Sequence, residues 1–256
     1  MNILFLGDVV SESGCESVSR KIHEIRSGYH VDFTIINAEN AAHGKGVTAK
    51  LYNQLIDAGA DVITLGNHAF AKREILYSFQ DCPCMIRPAN MEPFDVGQSV
   101  FIKECGTKKI AVINLLGQIF MSRATDDPVH VCEELLKDID ADIIIVDLHA
   151  EATSEKIMFA HYFADALTAV IGTHTHVQTA DERIINGCAF ISDVGMCGPY
   201  DSILGRDIEE VIDRSINRIN TTYLPANGPS VICGCLITVD DETNRAVEIE
   251  RIQIRP

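Results

Sequence analysis

The stretch Ile3-Leu4-Phe5-Leu6-Gly7-Asp8 is a short apolar run that ends in a glycine and a carboxylate. Residues 17–26 follow with apolar side chains at helical spacing, and residues 33–37 form a second apolar run that is rich in β-branched residues. A short strand, an amphipathic helix and another short strand are typical of a βαβ unit. This first part of the chain therefore predicts an α/β fold with parallel strands.

The same alternation continues through most of the chain. Thr48 predicts the start of a helix through Ala58, because its hydroxyl can accept a hydrogen bond from an otherwise unpaired backbone amide. Apolar runs and helical spacing predict further elements: strands at residues 62–65, 110–114, 143–148 and 169–172, and helices at residues 133–139 and 154–166. The repeated pattern indicates stacked βαβ units.

The last part of the chain has a different pattern. Residues 177–191 predict short strands around a turn at Asn186-Gly187, a strong hairpin signal. Three more elements are predicted after it: a helix at residues 208–219 and an antiparallel pair formed by residues 231–239 and 246–254. We expect one domain over residues 1–256, built from a mixed sheet or from two packed sheets with outer helices.

Composition limits the classes of partner. Of the 256 residues, 46% are hydrophobic and 23% are charged, which predicts a folded chain with a substantial core. The net charge is −16, and no cluster of Lys and Arg offsets it, so we do not expect binding to a nucleic-acid polymer. A small anionic substrate would still bind if bound cations reversed the field locally.

Location and cysteine usage give two further expectations. The sequence shows neither a basic leader before an apolar segment nor an apolar stretch near the ~20 residues of a membrane helix, so we expect a cytoplasmic protein without membrane contact. The nine cysteines lack the spacing usual in zinc sites. We therefore expect reduced, mostly structural thiols.

Side chains that bind metals follow five of the predicted strands. In parallel α/β sheets, ligands bind beyond the carboxyl ends of the strands, where the connecting loops converge. The residues at these five ends are Asp8, then Glu39 and Asn40, then Asn67 and His68, then His149, and then His174 and His176. Oxygen donors suit hard divalent cations, and imidazole suits Fe, Mn, Zn or Co.

Each of these elements is weak evidence when taken alone. The segment Gly66-Asn67-His68 also fits a simple turn, and His149 would also suit a buried histidine bonded to a backbone carbonyl. His174 and His176 are stronger evidence, since alternate residues of a strand point to one side. A shared metal site explains all five positions at once, and we expect one.

The set and its order resemble the calcineurin-like metallophosphoesterase superfamily, through Gly7-Asp8, Glu39-Asn40, Gly66-Asn67-His68, His149 and Gly172-Thr173-His174-Thr175-His176. A closer resemblance, to the YmdB-like branch of bacterial cyclic-nucleotide phosphodiesterases, is carried by residues 2–10, 37–46, 147–156, 172–181 and 193–205. The resemblance covers most of the chain. It implies a metallophosphoesterase-type α-β-β-α sandwich, with two packed mixed sheets flanked by helices.

Two positions depart from the wider superfamily pattern. Val10 stands where that pattern has a histidine, and Glu39 replaces the usual bridging aspartate. By analogy with the YmdB-like branch, Asn40 supplies the ligand that Val10 cannot. Because its donor is an amide oxygen, the first metal site is expected to favour Fe or Mn, with Zn as the alternative.

The resemblance implies two metal ions per chain. The implied ligands are Asp8, Asn40 and His176 for the first ion, Asn67, His149 and His174 for the second, and Glu39 for both. The resemblance also implies hydrolysis of small phosphodiesters, 2′,3′- or 3′,5′-cyclic nucleotides in particular. Two such ions would supply a metal-bridging hydroxide for the attack. His68 is left over, and we expect it to protonate the leaving oxygen. Its alternative role is to orient the Asn67 loop.

Other interpretations stay open at this point. Within enzymes, the alternative is a phosphomonoesterase or nucleotidase, although Lys45 is the only cation near a motif, which favours a diester monoanion. Outside enzymes, the alternative is a regulatory nucleotide-binding protein with slow turnover. The Gly-rich segment 193–205 either wraps the metal-binding edge or forms a contact between the subunits of a homo-oligomer.

Several nearby residues are secondary candidates. Asp147 and Glu151 flank His149, and carboxylates often orient ligating histidines. His43, like Lys45, lies in a Gly-containing loop that would reach the substrate. Tyr200 either packs within the fold or stacks on a base, and packing is the preferred interpretation.

Overall fold

The computed structural model describes all residues of the chain, Met1–Pro256. The strands are β1 (Asn2–Leu6), β2 (Asp8–Val9), β3 (Phe33–Asn37), β4 (Val62–Thr64), β5 (Val100–Cys105), β6 (Lys108–Leu116), β7 (Ile143–His149), β8 (Ala169–Thr173), β9 (Arg183–Ile185), β10 (Cys188–Ile191), β11 (Met196–Pro199), β12 (Ser230–Val239) and β13 (Ala246–Ile254). The helices are α1 (Ser11–Gly28), α2 (Ala49–Ala58), α3 (Ile75–Ser78), α4 (Pro128–Leu136), α5 (Thr153–Tyr162) and α6 (Ile208–Ser215), with a 3₁₀ turn at Phe79–Asp81.

The strands form two mixed sheets. The first sheet has seven strands in the order β2-β11-β12-β1-β3-β4, and β13 also pairs with β12. Strands β1, β3 and β4 are parallel to one another, whereas β12 is antiparallel to β1. The second sheet has six strands in the order β5-β6-β7-β8-β10-β9. Its four central strands are parallel, and its edge strands β5 and β9 are antiparallel to their neighbours.

The alternation of side chains along β1 explains why the sheets stack. Ile3 and Phe5 point into a core of 20 buried residues that both sheets share. Leu4 and Leu6 point to the opposite face, into a second core that includes the buried sides of α1 and α2. A third core joins the outer face of the second sheet to α4 and α5. The layers are therefore helix, sheet, sheet and helix, and the expected α-β-β-α sandwich is confirmed.

The helix predictions were right in place and wrong at several ends. Thr48 caps α2 as expected, since its side chain accepts a hydrogen bond from the Leu51 amide at 3.3 Å. The predicted helix at residues 17–26 extends over Ser11–Gly28, and the one at residues 133–139 lies instead at Pro128–Leu136. Asp127 caps α4 through the amide of Val129 at 2.8 Å, and this cap fixes the earlier start. The helices predicted at 154–166 and 208–219 end earlier, at Tyr162 and Ser215.

The strand predictions missed elements at the sheet edges. The hairpin around Asn186-Gly187 is present as β9 and β10, and both turn residues have positive φ. Residues 177–182, which the sequence assigned to a strand, lie outside any strand. The sequence did not predict β2, β5 and β11, because β2 is two residues long, β5 carries exposed charges and β11 contains Gly198 and Pro199.

The topology determines where the predicted ligands lie. The carboxyl ends of β1, β3 and β4 in one sheet meet those of β7 and β8 in the other, because His149 at the end of β7 contacts residues that follow β3, β4 and β8. No helix of the structure combines the length and the apolar character that a membrane crossing requires.

Candidate metal centre

The seven predicted ligands lie together at this meeting edge of the two sheets. Asp8 opens β2, Glu39 and Asn40 follow β3, Asn67 follows β4, His149 ends β7, and His174 and His176 follow β8. The carboxylates of Asp8 and Glu39, the Asn40 side chain and the His149 ring are all buried. Ligand atoms of Glu39, His149 and His174 lie within 4.8 Å of one another.

Three possible metal donors surround a single ring nitrogen of His149. Its Nε2 is 2.9 Å from Asn67 Oδ1, 3.0 Å from His174 Nδ1 and 3.2 Å from Glu39 Oε1. One N–H cannot make a well-aligned hydrogen bond with three acceptors at once. A cation among these four atoms would satisfy all of them, and the mix of imidazole, amide and carboxylate is one that divalent transition metals accept.

A carboxylate on the far side of the ring orients His149. Thr173 donates its hydroxyl hydrogen to Asp147 Oδ1 at 2.7 Å, so the same hydroxyl oxygen accepts from His149 Nδ1 at 2.9 Å. Asp147 also accepts hydrogen bonds from Thr64 and Asn37. The proton of the neutral ring is thereby placed on Nδ1, which leaves the lone pair of Nε2 directed into the cluster.

The other two histidines are held in the same manner. His176 Nδ1 donates to the backbone carbonyl of Leu204 at 3.0 Å, and His174 Nε2 faces Glu151 Oε2 at 3.1 Å. In each ring, one nitrogen contacts an outer partner, and the other nitrogen is left for a metal ion. His174 and His176 both have positive φ, 105° and 67°, so the backbone accepts a strained conformation to place these rings.

A second group of donors surrounds Asp8. Its Oδ1 atom is buried without any hydrogen-bond partner and lies 3.9 Å from His176 Nε2. The side-chain nitrogen Nδ2 of Asn40 lies 3.1 Å from the same His176 nitrogen and donates to Glu39 Oε1 at 2.9 Å. A buried carboxylate oxygen without a donor is costly, and a bound cation would remove that cost. Glu39 contacts both groups, the position that a bridging ligand requires.

The pKa values of His149 and Asp8 show how burial and neighbouring charges act on the cluster. Burial alone lowers the pKa of His149, but the carboxylates of Glu39, Asp8 and Asp147 outweigh it and raise that pKa to about 9. Burial raises the pKa of Asp8 to about 6. The rise at His149 is caused by buried negative charge, which a bound cation would balance.

A cleft of about 490 Å³ opens above these groups. His68 lines it, and its backbone amide donates to Glu39 Oε2 at 2.9 Å. Burial lowers the pKa of His68, and the charge of Glu39 opposes that shift. Lys45 also lines the cleft, as proposed, whereas His43 and Tyr200 do not.

Residues 4–252 match the YmdB-like protein family. The chain belongs to this family. The expected resemblance to the YmdB-like branch is thus confirmed over most of the sequence.

Two relatives of this YmdB-like chain have names that refer to phosphoester chemistry. It is 46% identical to a protein of Bacillus subtilis (strain 168) named 2′,3′-cyclic-nucleotide 2′-phosphodiesterase, over 99% of this chain and 97% of that one. A crystal structure of a novel phosphatase from Mycoplasma pneumoniae superposes with a TM-score of 0.94 at 35% identity, over 100% of this chain and 93% of that one. A hypothetical protein of Thermus thermophilus superposes with a TM-score of 0.93 at 36% identity, covering 100% and 99%.

The sequence did not identify several residues that shape the site of this YmdB-like chain. Thr173 lies beside His174 but shows its role only through contacts with Asp147 and His149. Leu204 contacts His176 through its backbone carbonyl, a group that every residue has, so the sequence could not single it out. Arg206 and Tyr223 line the cleft from a distant part of the chain, and only the folded structure brings them there.

The segment 193–205 wraps the metal-binding edge, the first of the two roles considered for it. Gly195 accepts a hydrogen bond from the Asp8 amide at 3.1 Å, and β11 pairs with β2 directly after it. Leu204, near the end of the segment, holds His176. Gly7 packs so closely against Gly195 that a Cβ on Gly7 would lie 1.9 Å from its carbonyl oxygen, which explains the small residue before Asp8.

Proposed function

We propose that this protein is a metal-dependent phosphodiesterase that hydrolyses nucleoside 2′,3′-cyclic phosphates. The observation that carries the proposal is the convergence of Asn67, His174 and Glu39 on one nitrogen of His149, at the floor of an open cleft. The name of the Bacillus subtilis relative supports the substrate class. The position of the chain in the YmdB-like family supports hydrolysis of a phosphoric diester.

The seven ligands divide into two sets around Glu39. In our assignment, Asp8, Asn40 and His176 hold one ion and Asn67, His149 and His174 hold the other. The unpartnered Asp8 oxygen supports the first set, and the crowded His149 nitrogen supports the second. The oxygen-rich first set favours Fe or Mn, with Zn as the alternative. When bound, such ions supply a hydroxide at neutral pH and neutralise charge on the phosphoryl oxygens.

The protein side chains provide the remaining parts of the reaction. A water oxygen forms a bond to phosphorus, and the bond between phosphorus and the ribose 2′-oxygen breaks. His68 lines the cleft without belonging to either ligand set, so it is placed to deliver a proton to the departing 2′-oxygen. The product is a nucleoside 3′-phosphate.

The charges of the cleft favour a diester over a monoester. Lys45 and Arg206 are the only Lys or Arg residues that line it, and Arg206 is already paired with Glu210 at 2.7 Å. One unpaired cation suits the single negative charge of a diester better than the dianion of a monoester. This balance supports the diesterase assignment over a phosphomonoesterase.

The experiment that tests the proposal follows the products of 2′,3′-cyclic AMP by phosphorus NMR. The metal-loaded protein should convert it to 3′-AMP and should act on 3′-AMP and p-nitrophenyl phosphate far more slowly. The variant Glu39→Gln should lose this conversion, whereas His161→Ala, on the exposed side of α5, should keep it. Rapid hydrolysis of the monoesters without hydrolysis of 2′,3′-cyclic AMP would overturn the proposal.

A further inference from the structure

One wall of the cleft comes from a part of the chain that supplies no metal ligand. Leu204, Arg206 and Tyr223 line the cleft, and all three follow β11 in the sequence. The backbone joins this wall internally, because Arg206 forms an isolated bridge with Pro225 and the Asp207 amide donates to the Leu224 carbonyl at 2.9 Å. Tyr223 is therefore held beside Arg206 by main-chain contacts.

The ring of Tyr223 lies directly against the loop that follows β3. A Cβ atom on Gly44 would come within 2.4 Å of both Cε1 and the hydroxyl of Tyr223, so the ring packs on bare backbone there. Gly44 has a φ of +77°, which also favours glycine. This loop begins at the proposed ligands Glu39 and Asn40, and Tyr223 lines the same cleft as both of them.

Two cations lie near the Tyr223 ring: one is held by an ion pair and the other is not. The guanidinium of Arg206 lies 4.9 Å from the ring centre and is fixed by Glu210, which also accepts from the Thr221 hydroxyl at 2.6 Å. The ammonium of Lys45 lies 5.1 Å from the ring centre and has neither an ion pair nor a hydrogen bond. An exposed contact of this kind is weak, so an anion in the cleft would draw Lys45 away from the ring.

Together these contacts place one aromatic ring and one unpaired cation in the same cleft. We propose that Tyr223 recognises the substrate by stacking on its base, while Lys45 leaves the ring to pair with the phosphate. The inference rests on the proposed function. Stacking on an aromatic ring tolerates every base, so the subsite selects nucleoside cyclic phosphates as a class over phosphodiesters without a base. Arg206, held by Glu210, keeps the ring in place.

The test compares two substrates that differ only in the base. These are 2′,3′-cyclic AMP and the 2,3-cyclic phosphate of 1-O-methyl-ribose, assayed with the metal-loaded protein. The variant Tyr223→Ala should lower kcat/KM for 2′,3′-cyclic AMP by roughly ten- to a hundred-fold, mainly through KM. It should change kcat/KM for the base-free substrate by less than about two-fold. Tyr223→Phe keeps the ring and should behave as the unaltered protein does.

A matched control comes from the same part of the chain. Tyr200 is exposed and does not line the cleft, so Tyr200→Ala should leave both substrates unaffected. If Tyr223→Ala lost kcat/KM equally on both substrates, or lost none on 2′,3′-cyclic AMP, the inference would be overturned. The proposed function would remain intact. Failure of the unaltered protein to hydrolyse either substrate would instead overturn both.

Discussion

The ammonium of Lys156 lies 3.1 Å from the carboxylate of Asp193, and both side chains are sealed from solvent. Lys156 also donates to the Thr173 carbonyl at 2.8 Å, and Asp193 accepts from the amide of Thr175 at 2.9 Å. The ion pair therefore contacts the chain on both sides of His174. It joins α5 to the loop that carries two of the proposed ligands.

Removal of one partner of this pair should destabilise the fold. The variant Lys156→Met leaves the Asp193 charge buried without its cation, and we expect the free energy of unfolding to fall by about 3–5 kcal/mol. Urea denaturation measures this change. The matched control is Lys109→Met, whose partner Asp140 is 91% exposed, and this variant should unfold nearly as the unaltered protein does. Equal stability of the two variants would contradict the structural role of the buried pair.

A second prediction concerns the carboxylate behind His149. All three partners of Asp147 donate to it, and Asp147→Asn turns one of its two oxygens into a donor. The hydrogen-bond network that orients the His149 ring is therefore broken on one side. We expect metal affinity to fall by roughly 10–100-fold. Competition with a fluorescent chelator measures the affinity. Asp140→Asn, at an exposed position, is the control, and wild-type affinity in Asp147→Asn would refute the orienting role.

His68 should matter for turnover and not for metal binding. Because its ring belongs to neither ligand set, His68→Ala should retain the metal content while kcat falls by roughly 10²–10⁴-fold. Elemental analysis and steady-state kinetics on the same preparation give both values. A loss of metal together with activity would show that the residue acts instead by orienting the Asn67 loop.

The nine cysteines are all free thiols, and seven of them are buried. Burial raises the pKa of Cys15, Cys132 and Cys188 to about 12, so these thiols stay protonated at pH 8 and react poorly. We expect Ellman's reagent at pH 8 to label at most Cys84 and Cys105 in the native protein and all nine after denaturation. Rapid labelling of more than two thiols in the native state would disprove this protection.

Those parts of the fold that repeat a strong local pattern could be predicted from sequence. The run ending at Asp8 and the run at residues 33–37 became neighbouring parallel strands, because their β-branched, apolar residues are buried on both faces. Strand β5 was missed since it lies at a sheet edge, where exposed charges such as Lys103 and Glu104 obscure the alternation. The early start of α4 depends on the Asp127 cap, which apolar spacing does not reveal.

For the candidate site, sequence order gave the ligand types but not the groups that hold them. His149 and His174 could be expected to meet because their strands are neighbours with the same direction. The Leu204 carbonyl that orients His176 could not be predicted, since every residue carries one. Tyr223 reaches the cleft through backbone contacts near Arg206, and no local pattern around Tyr223 signals that approach.

The most direct test of a metal-dependent diesterase is the metal content of the purified protein, measured with its turnover of bis-p-nitrophenyl phosphate before and after chelation. We predict about two ions of Fe, Mn or Zn per chain, loss of turnover when they are removed, and recovery with added Mn²⁺. Full turnover in a metal-free protein would contradict this prediction.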